Sequence, residues 1–229
     1  MDLYSNTGRS MPQRLVIFVL ETGLAGATAW LLLGPGLGWL HAHLGFIGGP
    51  GDLGRRWLLV ACTLVVWARG GFMIFYLLRR GITWGEAANV PFAYAVYYLG
   101  FGLLGGPNPR ALGVIAWVGA GLFAAGSALG TGAELARHLW KRHPEHQGRI
   151  YTGGPFRYAV HVNFFGEILW VLGMALVCEN AWALVIPALT FSLFAFFNVP
   201  ALDRHLADHY GEAFTEWASR TKKLIPFVY

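Results

Sequence analysis

The sequence predicts an all-α fold: a polytopic membrane bundle of about six transmembrane helices, seven at most, with a C-terminal amphipathic helix at the interface. Three observations predict it. Hydrophobic residues make up 55% of the 229 and charged residues only 13%, against roughly 25% charged in a soluble domain. Six apolar segments approach the ~20 residues that cross a bilayer core as a helix. Finally, Lys and Arg fall mainly into alternate loops. The mean hydropathy of +0.48 agrees, as do 31 Gly and 10 Trp, which suit close helix packing and aromatic belts.

The expected spans are residues 15–33, 57–78, 88–105, 111–132, 164–178 and 182–199. The fifth can extend back to Tyr158 if its polar residues are sheltered. Between the first two lies GPGLGWLHAHLGFIGGPGD (34–52), glycine-rich with a short apolar part, which reads as an interfacial or re-entrant piece. The polar stretch 1–13 has no apolar core, so the first span is expected to act as its own insertion signal. One side of the six-span arrangement carries Arg9, Arg14, Arg79, Arg80, Arg137, Lys141, Arg142, Arg149, Arg157, Arg204, Arg220, Lys222 and Lys223. The other carries Arg55, Arg56 and Arg110. The positive-inside rule then puts both termini in the cytoplasm, and the expected location is a bacterial inner membrane. A seventh span through 34–52 would flip every later loop.

The chain reads as one integral membrane domain, with 1–130 as substrate-side helices and 131–229 as a cofactor-binding half. The net charge of +5 is divided among loops, with no continuous basic face, so lipid headgroups or a phosphate-bearing cofactor explain it better than nucleic acid. Cys62 and Cys178 lie in apolar segments without metal or redox spacing. Glycines in GAGLFAAGSALGTG (119–132) sit in an apolar helix without the strand a dinucleotide fold requires, which points to close helix packing instead.

Several polar residues occupy expensive positions. Glu21 lies in the first span, Arg69 in the second, Glu167 early in the fifth and Asn198 at the end of the sixth. A charge at mid-bilayer costs about 2.5–3.5 kcal/mol on insertion scales, so each pairs, as Glu21 and Arg69 could, or lines a polar cavity. The loop ELARHLWKRHPEHQGRIYTGGPFRY (134–158) is rich in His and basic residues. It has no H-E-x-x-H and no nearby cysteine, so no metal site is expected. Its Arg and Lys suit phosphates. In the tail, Leu206, Tyr210, Phe214 and Trp217 recur at helical spacing, predicting one amphipathic helix. The apolar LIPFVY (224–229) is expected to tuck back into the bundle.

Two stretches carry a family resemblance: GGPFRYAVHVNFFGEILWVLGMAL (153–176) and DRHLADHYGEAFTEWASRTKKLIPFVY (203–229). They resemble the superfamily of steroid 5α-reductases, sterol C14- and Δ7-type reductases and isoprenylcysteine-type methyltransferases. The matching residues are Asn163-Phe164-Phe165-Gly166-Glu167, Tyr210-Gly211, Trp217 and the closing Leu224–Tyr229. The resemblance implies that Asn163 and Glu167 contact the nicotinamide–ribose region of NADPH, with Arg157, His161, His205 and Tyr210 nearby. Val160-His161-Val162 stands where the methyltransferases and sterol reductases favour Arg-His-Pro, which weakens a methyltransferase reading, although His161 matches that branch. The early Gln–Glu pair of the 5α-reductases has no counterpart. WARGGFMIFYLLRRG (67–81) is similar to an early 5α-reductase span.

The expected function is an NADPH-dependent reductase of a C=C bond in an apolar lipid that enters from the bilayer. An enone sterol or an isoprenoid would fit. Glu21 or Tyr98 would serve as the catalytic acid, with Tyr94 and Tyr97 as further candidates. The alternative is an S-adenosylmethionine-dependent lipid or isoprenylcysteine-type methyltransferase. A third reading is a non-enzymatic lipid-binding or transport protein. Oligomeric state stays open.

Overall fold

The computed structural model describes residues 10–45 and 47–229. The polar N-terminal segment with Arg9, and with it the expected side of the N-terminus, lies outside the described residues. Nine α-helices occur among the described residues: α1 (Met11–Leu33), α2 (Gly36–Leu44), α3 (Leu53–Phe72), α4 (Trp84–Gly105), α5 (Val114–Trp140), α6 (Val162–Cys178), α7 (Val185–Leu193), α8 (Val199–Tyr210) and α9 (Glu212–Arg220). One wide π-turn, Met73–Leu77, prolongs α3, and another, Phe194–Asn198, joins α7 to α8.

Among the described residues, five segments are long and apolar enough to cross a membrane: Met11–Leu33, Leu53–Leu77, Trp84–Gly105, Val114–Trp140 and Ala181–Tyr210. The fifth expected span forms α6, which at 17 residues is shorter. At 1.5 Å per residue it covers about 25 Å. It does not extend back to Tyr158, because Gly154–Arg157 forms a 3₁₀ turn and Ala159 bridges to Lys222. Among the described residues of 34–52 the one helix is α2, nine residues long, or about 13 Å, less than half of a bilayer core.

The chain forms two compact units, Met1–Phe123 with Val171–Pro187, and Ala124–Trp170 with Ala188–Tyr229. In the first unit, α3 is fixed at both ends by arginines that satisfy terminal carbonyls. Arg14 of α1 donates to Ile74, Leu78 (3.0 Å) and Arg80 (2.8 Å) carbonyls at one end. At the other, Arg56 donates to Leu32 O at the end of α1 (2.8 Å). The last four carbonyls of a helix have no intrahelical donor, so this stapling sets the antiparallel α1–α3 register. Asp52 caps α3 by accepting from Arg55 N (2.8 Å), and Thr83 with Glu86 forms a capping box on α4.

Gly119, Gly126 and Gly130 of α5 behave as the sequence predicts: they let backbones touch. In the first unit a Cβ on Gly119 would stand 2.6 Å from Gly173 O of α6. In the second unit a Cβ on Gly126 would stand 2.7 Å from Gly166 O, and one on Gly166 would stand 2.5 Å from Gly130 N.

The second unit corrects the tail. The expected single amphipathic helix is two, because Gly211 takes φ +55 and its N–H closes α8 on Ala207 O (2.8 Å). A Cβ makes that φ uncommon, so the break falls at glycine. The predicted stripe survives it: Phe214 and Trp217 are buried with Phe156, Val160 and Val162, and Leu206 and Tyr210 pack against them. Of the terminal LIPFVY, Leu224 is fully buried against Ala195 and Val199, whereas Phe227 and Val228 are exposed. The tuck therefore reaches only its first residues.

Gly166→Ala should lower the melting temperature by an amount equivalent to about 1–3 kcal/mol, the usual cost of overpacking. Gly121→Ala has nothing within 4 Å of its new Cβ and should be neutral or stabilising by up to ~1 kcal/mol. Thermal unfolding in detergent of the two variants checks the contrast.

Candidate functional site

Two groups of polar residues stand out, one in each unit. In the second unit, the glycine register carries α6 past α5 so that Asn163 lies against Glu134. Asn163 Nδ2 donates to Glu134 Oε1 (2.8 Å), and the other Glu134 oxygen pairs with Arg137. Glu167, one turn along α6, accepts from Trp170 Nε1 (2.5 Å). Both Asn163 and Glu167 are partly exposed. No described residue donates to Asn163 Oδ1, so its carbonyl is available to a ligand amide.

His161 is 1% exposed. Its Nε2 pairs with Asp203 Oδ1 at 2.7 Å, and Lys223 Nζ reaches Asp203 Oδ2 at 3.2 Å. Backbone bonds run alongside: Val160 N to Lys222 O (2.8 Å) and His161 N to Lys223 O (3.0 Å). His161 thus fastens the tail to the start of α6 rather than presenting a free ring. Tyr210 OH accepts from Lys141 Nζ (2.5 Å). The His209 ring meets Tyr210 edge-on at 4.6 Å and stacks on His205 at 6.1 Å. Arg157 is exposed, with its guanidinium 5.5 Å from the Tyr158 ring centroid. The exposed Arg142 and Arg149 add charge to the same loop.

Four partners were not singled out from sequence: Glu134, Lys141, Asp203 and Lys223. Two had a signal. Glu134 continues the α5 series Gly119, Phe123, Gly126, Gly130 at helical steps of three and four. Asp203 lies one turn before Leu206 on the predicted tail stripe. Nothing in the spacing of Lys141 or Lys223 marked them out.

In the first unit, Glu21 of α1 and Tyr98 of α4 are both 0% exposed. Neither Glu21 oxygen, nor the Tyr98 hydroxyl, has a hydrogen-bond partner among the described residues. The suggested Glu21–Arg69 hydrogen-bonded pair is therefore not formed. Gly70 makes the space: a Cβ there would stand 2.8 Å from Glu21 Oε2, and the Tyr94 hydroxyl lies 3.8 Å from the same point. The Tyr94 ring sits edge-to-face on Tyr98 at 5.6 Å. A buried polar group left unpaired costs about 1–3 kcal/mol, so two in one helix cluster call for a chemical reason.

Taken together, the apolar helices and these sheltered polar groups define an integral, multi-pass membrane protein. Residues 90–221 match the family described as "Protein of unknown function (DUF1295)", and the chain belongs to that family. It is similar to human 3-oxo-5-alpha-steroid 4-dehydrogenase 2, with 32% identity over 114 residues, 49% of this chain and 42% of the human protein. It is also similar to 3-oxo-5-alpha-steroid 4-dehydrogenase 1 of Macaca fascicularis, at 33% over 114 residues, 49% of this chain and 41% of the relative. A probable protein-S-isoprenylcysteine O-methyltransferase of Oryza sativa subsp. indica is 26% identical over 103 residues, 44% of this chain and 53% of the relative. The chain spans about half the length of these curated relatives. These relatives come from two of the three groups that the sequence resembles, the steroid 5α-reductases and the isoprenylcysteine-type methyltransferases.

Asp203→Ala leaves the buried His161 without its partner and should cost about 1–3 kcal/mol, while Arg157→Ala should stay within about 0.5 kcal/mol. Thermal unfolding reads the difference. Trypsin should also cleave at Lys222 and Lys223 faster in Asp203→Ala, because the salt link to the tail is gone.

Proposed function

We propose that this protein is an NADPH-dependent reductase of a C=C bond conjugated to a carbonyl in an apolar lipid. The observation that carries the reading is the buried, unpartnered pair of acids, Glu21 and Tyr98. A dry O–H donor suits an oxyanion that appears only in the transition state, where one such donor is worth about 2.7–4 kcal/mol. Methyl transfer to a carboxylate or thiolate has no use for it, since a nearby acid weakens the nucleophile.

The residues of the second unit fit the cofactor chemically. Asn163 and Glu167 offer an amide and a carboxylate for a carboxamide and ribose hydroxyls, and Arg142, Arg149 and Arg157 offer forked donors for phosphates. His161, held by Asp203 and Lys223, positions the first turn of α6. NADPH, when bound, supplies the hydride, which reduces the carbon β to the carbonyl. Glu21 or Tyr98 stabilises the oxygen as the C=C electrons move onto it, and a proton then completes the α-carbon. The balance is one hydride from the cofactor and one proton from the protein or solvent, giving a saturated ketone and NADP⁺. On this reading α1, α3 and α4 receive the lipid and the C-terminal half holds the nucleotide, with the termini and the basic 134–158 loop in the cytoplasm. The methyltransferase relatives support the second reading, S-adenosylmethionine-dependent methylation.

Cofactor-induced thermal stabilisation of the purified protein separates the two. NADPH at 100 times its Kd should stabilise by about 2.7 kcal/mol, and Asn163→Ala and Glu167→Ala should each abolish the shift. Glu21→Gln and Tyr98→Phe should keep the NADPH shift yet lower enone-dependent NADPH oxidation about 10²–10³-fold. Stabilisation by S-adenosylhomocysteine instead would give the function to the second reading. Response to neither would favour lipid binding or transport.

A further inference from the structure

A cavity lies at the other end of the first unit, away from Glu21. The start of α5, the end of α6 and the turn after it border an open cavity of about 590 Å³, within the ~300–1,000 Å³ of ligand pockets. Its walls include Val114 and Ile115 from the first turn of α5, and Leu184. Its polar groups are Arg110 and Glu179.

The carboxylate is held in place by Arg55, a guanidinium with 0% exposure. Arg55 donates to Glu179 Oε2 (2.6 Å), to the carbonyls of Arg110 (3.1 Å) and Ala111 (3.5 Å), and to Val177 O. One buried cation therefore ties both walls together, and the cavity is preformed. Glu179 also carries φ +45, a conformation uncommon for a residue with a side chain. Its Oε1 turns toward Gly113, where a Cβ would stand 3.2 Å away. No described residue donates to Oε1, and the exposed Arg110 guanidinium has no partner among the described residues. The cavity thus offers a free cation, a free carboxylate oxygen and apolar walls.

Its depth argues for the kind of ligand. The cavity sits where two spans begin, α5 at Val114 and the last span at Ala181. The surface beside it is apolar and exposed: Val114 is 80% exposed and Trp182 73%. Tryptophan at the end of a span marks the headgroup level.

We propose that this cavity is a binding site for an aminophospholipid headgroup. The phosphate sits on Arg110, the ammonium on Glu179 Oε1, and the glycerol end lies against Val114, Ile115 and Leu184. The inference is independent of the reductase reading, since it uses none of the residues assigned to that chemistry.

The full chain in detergent, titrated with dihexanoyl phosphatidylethanolamine, phosphatidylcholine, phosphatidylglycerol and inorganic phosphate, tests it by native mass spectrometry and by thermal shift. Phosphatidylethanolamine should bind at least tenfold more tightly than the other three. Arg110→Gln should weaken it tenfold or more at an unchanged apo melting temperature, Arg110→Lys should restore part of the loss, and the exposed Arg204→Gln should change nothing. Equal affinity for all three lipids, equal binding of phosphate alone, or indifference to Arg110→Gln would each overturn the proposal.

Discussion

Backbone contact between α5 and α6 is the constraint from which the second unit's polar chemistry follows. Gly126, Gly130 and Gly166 bring the two helices closer than any side chain would permit. Apolar side chains gain little by leaving lipid, so close van der Waals approach is what holds membrane helices together. Such contact fixes register as well as distance. On α5 the series Gly126, Gly130, Glu134 advances by one turn at each step. On α6 Asn163 lies three residues before Gly166, on the same face. The hydrogen bond from Asn163 to Glu134 is therefore where the glycine series ends, and an offset of one residue would break it. The amide is oriented by packing that lies a turn or more away.

A second constraint is that a charge among apolar helices must bring its own solvent. Arg55 does so, with three carbonyls and a carboxylate around its guanidinium, leaving only Nε unpartnered. Thr28 and Thr63 do so by bonding the carbonyl four residues back, at 2.9 Å each. Glu21 and Tyr98 do not. Their isolation is not forced by crowding, since Gly70 leaves the carboxylate room and Tyr94 stands close by. Fold stability alone would favour replacing both with apolar residues. On the proposed reading, a polar partner that arrives with the substrate would satisfy them.

Much of this was legible in the sequence because membrane helices write long, coarse signals. The apolar runs gave α1, α3 and α4 within a few residues and the start of the last span, which runs on to Tyr210 instead of stopping at 199, and the glycines of 119–132 announced the α5 packing. The Asn163–Glu167 turn was visible through resemblance. Local backbone choices were less legible. The stripe from Leu206 to Trp217 is compatible with one helix, and only the conformation of Gly211 divides it. The partners Glu134 and Asp203 lay on faces already identified, but a face does not say which residue on another helix meets it. Arg55 read as one more flanking charge, because its ligands are mostly carbonyls, which no residue type reveals.

The reaction is hardest to read where family likeness is strongest. Residues 90–221 carry the family match and include Asn163, Glu167 and Tyr98. An amide, a carboxylate and a basic loop can hold either of two nucleotide-like cofactors, so that region alone does not choose between hydride and methyl transfer. On the proposed reading, the choice rests on the buried polar groups of the first unit. Glu21 and Gly70 precede the matched region, and they turn Tyr98 from one aromatic among many into half of a dry acid pair. A proton-donating site favours a reaction that accumulates negative charge on oxygen and works against one that begins with it. On the proposed reading, Glu21 and Gly70, outside the matched region, therefore carry the argument for reduction.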